Sequence, residues 1–150
     1  PTPHERELRL RAHALGIADD VRWPGWLTPS ELEGLWRLTS AFVFPSLYEG
    51  FGLPVLEAMA RGVPVACSNT SSLPEVAGEA ALMFDPRDPR SIAVALERLL
   101  RAGPEIEALK AAGVARAAQF TWQRTATGTL ASYARALEAG RRAQRRRPAA

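Results

Sequence analysis

From its middle onward the chain alternates between two patterns of apolar and polar positions. Ala41-Phe42-Val43-Phe44 is an unbroken apolar run ended by Pro45, as expected of a strand buried on both faces of a parallel sheet. Val63–Cys67 and Ala80–Phe84 repeat that pattern. Between them, Val55, Leu56, Ala58, Met59 and Ala60 predict a short helix closed by Gly62, and Ser72–Gly78 a helix of one or two turns. Upstream, Leu8, Leu10 and Leu15 stand among charges and stop at Gly16, predicting an amphipathic helix over 5–15, and Val21–Trp23 reads as a short strand. Thr28-Pro29-Ser30-Glu31 is a capping box with proline at the first helical position. Leu32, Leu35, Trp36 and Leu38 then follow at helical spacing to near Thr39. After the turn Asp85–Pro89 the chain reads as helix throughout: 91–102, 104–118 and 122–142. Strands alternating with helices imply right-handed crossovers and a Rossmann-like, doubly wound parallel α/β sheet of about four strands, here with a helical C-terminal extension.

Length and charge narrow the function classes. A chain of 150 residues suits a single domain, 1–150. No apolar run approaches the roughly 20 residues of a membrane-spanning helix, and the charged beginning PTPHERELRLRAHALG lacks a secretory signal. The expected location is the cytoplasm or the cytoplasmic face of a membrane. The single Cys67 excludes an internal disulfide, and inert packing is its expected role. The net charge of +3 falls to −2 once Arg141, Arg142, Arg145, Arg146 and Arg147 are set aside, so the basicity belongs to a segment, 141–150, expected to be a flexible tail. His4 and His13 lack the spacing of a helical metal pair and are expected at the surface. Three of the four tryptophans are expected to anchor core or interface, Trp26 being the exception worth testing. Leu130, Tyr133, Ala134 and Leu137 stripe the last helix, either packed on their own domain or exposed.

The loop "FPSLYEGFGLPVLEAMARGVPV" carries the candidate chemistry. It leaves the strand ending at Phe44 at the carboxyl edge of the sheet, where ligands of such folds bind. Gly50 and Gly52 permit close backbone approach or positive φ, and Pro54 suits a helix start whose free N–H groups attract an anion such as phosphate near Gly52 and Leu53. Glu49 and Glu57 flank that position. Carboxylates repel phosphate, so beside one they suit the hydroxyls of a sugar. The same residues also suit a plain turn and helix cap, and spacing alone leaves both readings open.

Pro45-Ser46-Leu47-Tyr48-Glu49-Gly50-Phe51-Gly52-Leu53-Pro54-Val55-Leu56-Glu57-Ala58-Met59-Ala60 resembles the glutamate-seven-residues-glutamate signature of the retaining glycosyltransferases of family 4, also called glycosyl transferases group 1. The likeness continues through Gly62-Val63-Pro64-Val65 and Ser71–Gly78 to Phe84-Asp85-Pro86, and more weakly back to Gly25 and on to Leu100. The resemblance implies the C-terminal, donor-binding half of a GT-B enzyme. By it, Glu57 accepts hydrogen bonds from the donor's ribose, while Gly50, Phe51, Gly52 and Leu53 hold sugar and diphosphate through backbone N–H groups. Glu49 lies nearest the transferred sugar as the catalytic candidate, and Gly25, Trp26 and Leu27 sit where the nucleobase is contacted. It further implies a GDP-mannose-like or UDP-sugar donor, a hydroxyl acceptor, retention of configuration, no metal or cofactor, and no nucleic-acid partner. Peripheral membrane contact would come through the whole enzyme. The family's basic diphosphate-binding residues, a Gly-Arg and a Lys, fall upstream of this sequence, as does the acceptor-binding domain. The chain is therefore expected to be an N-terminally truncated piece, inactive alone. The alternative from another class is a non-catalytic α/β binding module derived from such an enzyme.

Overall fold

The structure, a computed structural model, describes residues 2–145. The chain divides into two compact units between Leu38 and Thr39.

The first unit holds α1 (Pro3–Ala14) and α2 (Pro29–Leu38). Thr2 caps α1 by accepting the Glu5 N–H at 3.1 Å, and the Arg9 guanidinium grips Glu5 at 2.7 and 2.9 Å. α2 begins with the predicted capping box. The Thr28 N–H and hydroxyl both donate to the Glu31 carboxylate, at 2.8 and 2.7 Å, and hold it below its ordinary carboxylate range. The segment Val21–Trp23 forms no strand, contrary to the sequence-based expectation. Three residues with Arg22 among them make no ladder here, and Trp23 instead lies beneath the Arg9 guanidinium, 5.0 Å from its ring centre.

The second unit is a three-stranded parallel sheet in the order β1 (Phe42–Phe44), β2 (Val65–Ser68), β3 (Leu82–Phe84). Three strands among the described residues replace the four expected, because Val21–Trp23 contributes none. Val43 pairs with Ala66 and Ala66 with Leu82, so these side chains share one face of the pleat. With Phe84 they pack against Ala95 and Leu99 of α5 (Pro89–Leu99). All four residues of the central strand β2 are buried, including Val65 and Cys67 of the opposite parity, so both its faces are covered, whereas β1, expected to be buried on both faces, is an edge strand and only partly buried.

α3 (Leu53–Ala60) follows β1, and α4 (Leu73–Ala77) follows β2. α3 packs on β1, β2, α4 and α6 (Pro104–Ala117). Gly113 makes the α3–α6 approach close: a Cβ there would stand 3.3 Å from Met59 Cγ. Arg116 ties the end of α6 to the end of α4, donating to the carbonyls of Glu75 at 2.6 Å and Val76 at 2.9 Å. Those carbonyls lie at the negative, C-terminal end of α4, which a guanidinium suits.

α7 (Trp122–Arg145) takes in Arg141 and Arg142, so the basic segment begins within a helix; residues 146–150 lie outside the described residues. Of the two readings of its apolar stripe the structure takes the open one: Leu130, Tyr133 and Leu137 are 67, 64 and 65 % exposed.

Cys67 is fully buried beside Met83, with Sγ 3.7 Å from Sδ. Burial pushes its thiol up to about 11. The neutral thiol's contribution to stability is complete below the unfolded value near 8.5, and it is lost as pH rises towards 11. Iodoacetamide at pH 8 is therefore expected to leave native Cys67 intact and to alkylate it in urea, as mass spectrometry reads directly. Equal labelling in the two states would contradict this placement.

Candidate functional site

The loop from Pro45 to Gly52 and the segment Asn69–Ser72 leave adjacent parallel strands at the same edge of the sheet. Hydroxyl groups lace them together. Ser68 Oγ donates to the Phe44 carbonyl at 3.3 Å, and Thr70 Oγ1 to that of Leu47 at 3.2 Å. Ser71 Oγ accepts the Glu49 N–H at 2.9 Å and donates to the Glu49 carbonyl at 2.6 Å. Ser72 Oγ lies 3.0 Å from the carbonyl of Glu49 and 2.9 Å from that of Phe51. The Glu49 side chain, half-buried, accepts from Ser46 Oγ at 2.8 Å.

Beyond Glu49 the backbone changes character. Among the described residues the N–H groups of Gly50, Phe51, Gly52 and Leu53 donate to no acceptor, and Pro54 has no N–H. Four successive open donors thus end at the N-terminus of α3, where no acidic side chain occupies the first turn. Such a run, at the positive end of a helix dipole, is a concentration of partial positive charge suited to an anion.

The two glycines differ. Gly52 caps α3 at φ 103°, ψ 43°, and a Cβ there would stand 2.5 Å from Leu73 Cδ2. Gly50 has no positive φ, and a Cβ there would meet nothing within 4 Å. Gly52 therefore serves the fold, and Gly50 is the one facing open space.

Phe51 supplies its backbone rather than its ring to this edge. The ring stands edge-on to Phe120, 5.9 Å between centres, and Arg116 lies over the other ring of that pair at 4.9 Å. Glu57 projects from the second turn of α3, is exposed, and its carboxylate has no partner among the described residues; only its carbonyl is taken, by Arg61 at 3.0 Å. Glu49, Gly50, Phe51, Gly52, Leu53 and Glu57 thus all lie on one loop and helix of the second unit. Gly25, Trp26 and Leu27 belong to the first unit, where Gly25 has φ 68° and Trp26 is 85 % exposed. Among the described residues no three His, Cys, Asp or Glu side chains converge as metal ligands, and no helix is long and apolar enough to cross a membrane.

The hydroxyls of Ser46, Thr70, Ser71 and Ser72 were not singled out by sequence reasoning. The available signal was a run of four small polar residues directly after a buried strand, at the edge where the glutamate loop also emerges.

The family model described as glycosyl transferases group 1 matches residues 2–116. The chain belongs to the group 1 glycosyl transferases. It is 44% identical over 113 residues to the O-antigen chain mannosyltransferase B of Escherichia coli, covering 75% of this chain and 30% of that protein. It is 41% identical over 139 residues to the serotype-specific mannosyltransferase WbdA of the same organism, covering 92% of this chain and 17% of that one. The chain thus spans less than a third of the length of these curated relatives. Among solved structures, the sucrose-phosphate synthase of Thermosynechococcus elongatus superposes with a TM-score of 0.74 at 29% identity, covering 91% of this chain and 35% of the other. The C-terminal domain of a group 1 glycosyl transferase, LpcC from Francisella tularensis, shares the fold at TM-score 0.70 and 23% identity, covering 79% and 62%. This group 1 glycosyl transferase chain has the α/β fold of a GT-B C-terminal domain.

Proposed function

We propose that this chain is the donor-binding part of a retaining glycosyltransferase that moves a sugar from a nucleoside diphosphate sugar, of the GDP-mannose or UDP-sugar type, to a hydroxyl acceptor. The observation carrying this reading is the run of open N–H groups from Gly50 to Leu53, between a half-buried Glu49 and an exposed, unpartnered Glu57. The diphosphate lies along those N–H groups, the ribose hydroxyls donate to Glu57, and the sugar sits beside Glu49. The bond between the anomeric carbon and the phosphate oxygen breaks as the acceptor oxygen bonds to that carbon on the same face. The acceptor's proton passes to the leaving phosphate, so no protein nucleophile is required. Mannosyltransferase relatives favour a mannose donor. Acceptor binding and the remaining basic contacts to the diphosphate are assigned to the rest of such an enzyme, so this chain alone binds donor without turning it over.

Backbone NMR of the chain titrated with GDP, UDP and ADP is the direct test, with selective shifts expected at Gly50, Gly52 and Glu57. Glu57→Gln keeps the shape and an acceptor oxygen but removes the charge that strengthens the ribose hydrogen bonds, and is expected to weaken nucleotide binding about tenfold with an unchanged melting temperature. Calorimetry showing the same dissociation constant for both proteins would remove the ribose role, and silence of the loop to all three nucleotides would remove the donor site.

A further inference from the structure

We infer that Ser71 and Ser72 are positioning residues for Glu49: their hydroxyls hold its backbone so that the carboxylate meets the transferred sugar in one geometry. The inference rests on the proposed donor site and adds a supporting element from a second loop, on the neighbouring strand.

A Ser71 hydroxyl that accepts the Glu49 N–H and donates to the Glu49 carbonyl fixes both ends of the same residue. Ser72 adds a hydroxyl reaching that carbonyl and the one of Phe51. Ser46 Oγ lies 2.8 Å from the carboxylate itself and 3.2 Å from the Tyr48 carbonyl. With its backbone and one side-chain oxygen engaged, Glu49 has little freedom left, whereas the N–H groups of the next four residues stay open.

The backbone of Ser71 is a second observation that points to its side chain. It is the one non-glycine residue with positive φ, 58°, among the described residues. Glycine adopts that conformation without strain, so a plain turn is served better by glycine. Serine keeps, at the cost of that strain, a hydroxyl that glycine lacks, and strain held in place beside a functional loop points to a role for the side chain.

The decisive variant is Ser71→Gly, which relieves the strain while deleting the hydroxyl, so the two effects on stability offset each other in part and a fall in rate at unchanged affinity reads the positioning role. In the full-length protein, nucleotide release from GDP-mannose and UDP-glucose is measured together with nucleotide affinity and melting temperature. Positioning predicts a folded variant that melts close to wild type and has a nearly unchanged nucleotide dissociation constant. It also predicts a kcat lower by about tenfold to a hundredfold, the effect of a small misplacement of a reacting group. Ser72→Thr, which keeps a hydroxyl, is expected to stay close to wild type, and Ser72→Ala to fall with Ser71→Gly. Hydrogen exchange at the Glu49 amide reads the clamp itself and is expected to quicken in Ser71→Gly. Unaltered kcat in Ser71→Gly with an active wild type overturns the positioning role and leaves the donor site standing. A folded wild type that binds and cleaves neither nucleotide sugar overturns the donor site, and the positioning role with it.

Discussion

Gly52→Val is expected to destabilise the domain by about 2–5 kcal/mol, a loss of roughly 5–15 °C in melting temperature. The sequence suggests a different outcome for this variant, simple obstruction of a phosphate beside the helix start. In the structure a β-branched side chain meets two separate penalties before any ligand arrives. The backbone at φ 103° lies in territory that L-residues rarely adopt, worth about 1–2 kcal/mol by itself. The new Cβ also overlaps Leu73 Cδ2 at 2.5 Å, and because Leu73 is fully buried its side chain can give way only by repacking against its neighbours. Urea or thermal unfolding measures the loss, and Gly52→Ala isolates the backbone and Cβ share of it. A valine variant melting with wild type would show that this residue does not hold the left-handed conformation at the head of α3. Obstruction of the cradle is better tested at Gly50, where an added side chain enters open space and the fold is spared.

The features legible in the sequence were those decided by neighbours in the chain. The Thr28–Glu31 box needs only the three-residue spacing that brings hydroxyl and carboxylate together at a helix start. β1, β2 and β3 need only a short continuous apolar run, and Pro45 and Gly62 mark where the adjoining segments stop. Val21–Trp23 shows the limit of that logic: a strand exists only when another strand takes its hydrogen bonds, and no local pattern supplies one. The candidate loop divides the same way. Gly50, Gly52, Glu49 and Glu57 are recognisable from spacing and family likeness, and the open N–H run falls on the four residues expected to cradle phosphate.

What escaped the sequence is the support of that loop, because it comes from across the sheet. Ser71 and Ser72 reach Glu49 only because β1 and β2 run parallel and in a register that pairs Phe44 with Cys67. The ring of Phe51 likewise finds Phe120, just beyond α6, which packs on α3, so its side chain joins the scaffold while its backbone, the part expected to contact a ligand, stays on the candidate loop. The two kinds of glycine are indistinguishable in the sequence for the same reason, since Leu73 is the neighbour that separates them.

Glu49→Gln is expected to lower kcat about a hundredfold to a thousandfold in the full-length protein while leaving its fold and nucleotide affinity close to wild type. The substitution is nearly isosteric. Gln keeps an oxygen for the Ser46 hydroxyl, and the backbone contacts to Ser71 and Ser72 do not depend on the side chain. What disappears is a half-buried negative charge beside the proposed donor site. In the proposed transfer, positive charge grows at the anomeric carbon as the bond to the leaving diphosphate breaks, and a fixed carboxylate beside it would lower the transition state more than the ground state. In the proposed donor site the ground-state complex is held mainly by the open N–H groups and Glu57, so nucleotide affinity is expected to move little. Steady-state rates together with calorimetric nucleotide binding separate these effects. A variant with normal kcat would restrict Glu49 to shaping the loop, and one that loses affinity in proportion to rate would place its charge in donor binding rather than in transfer.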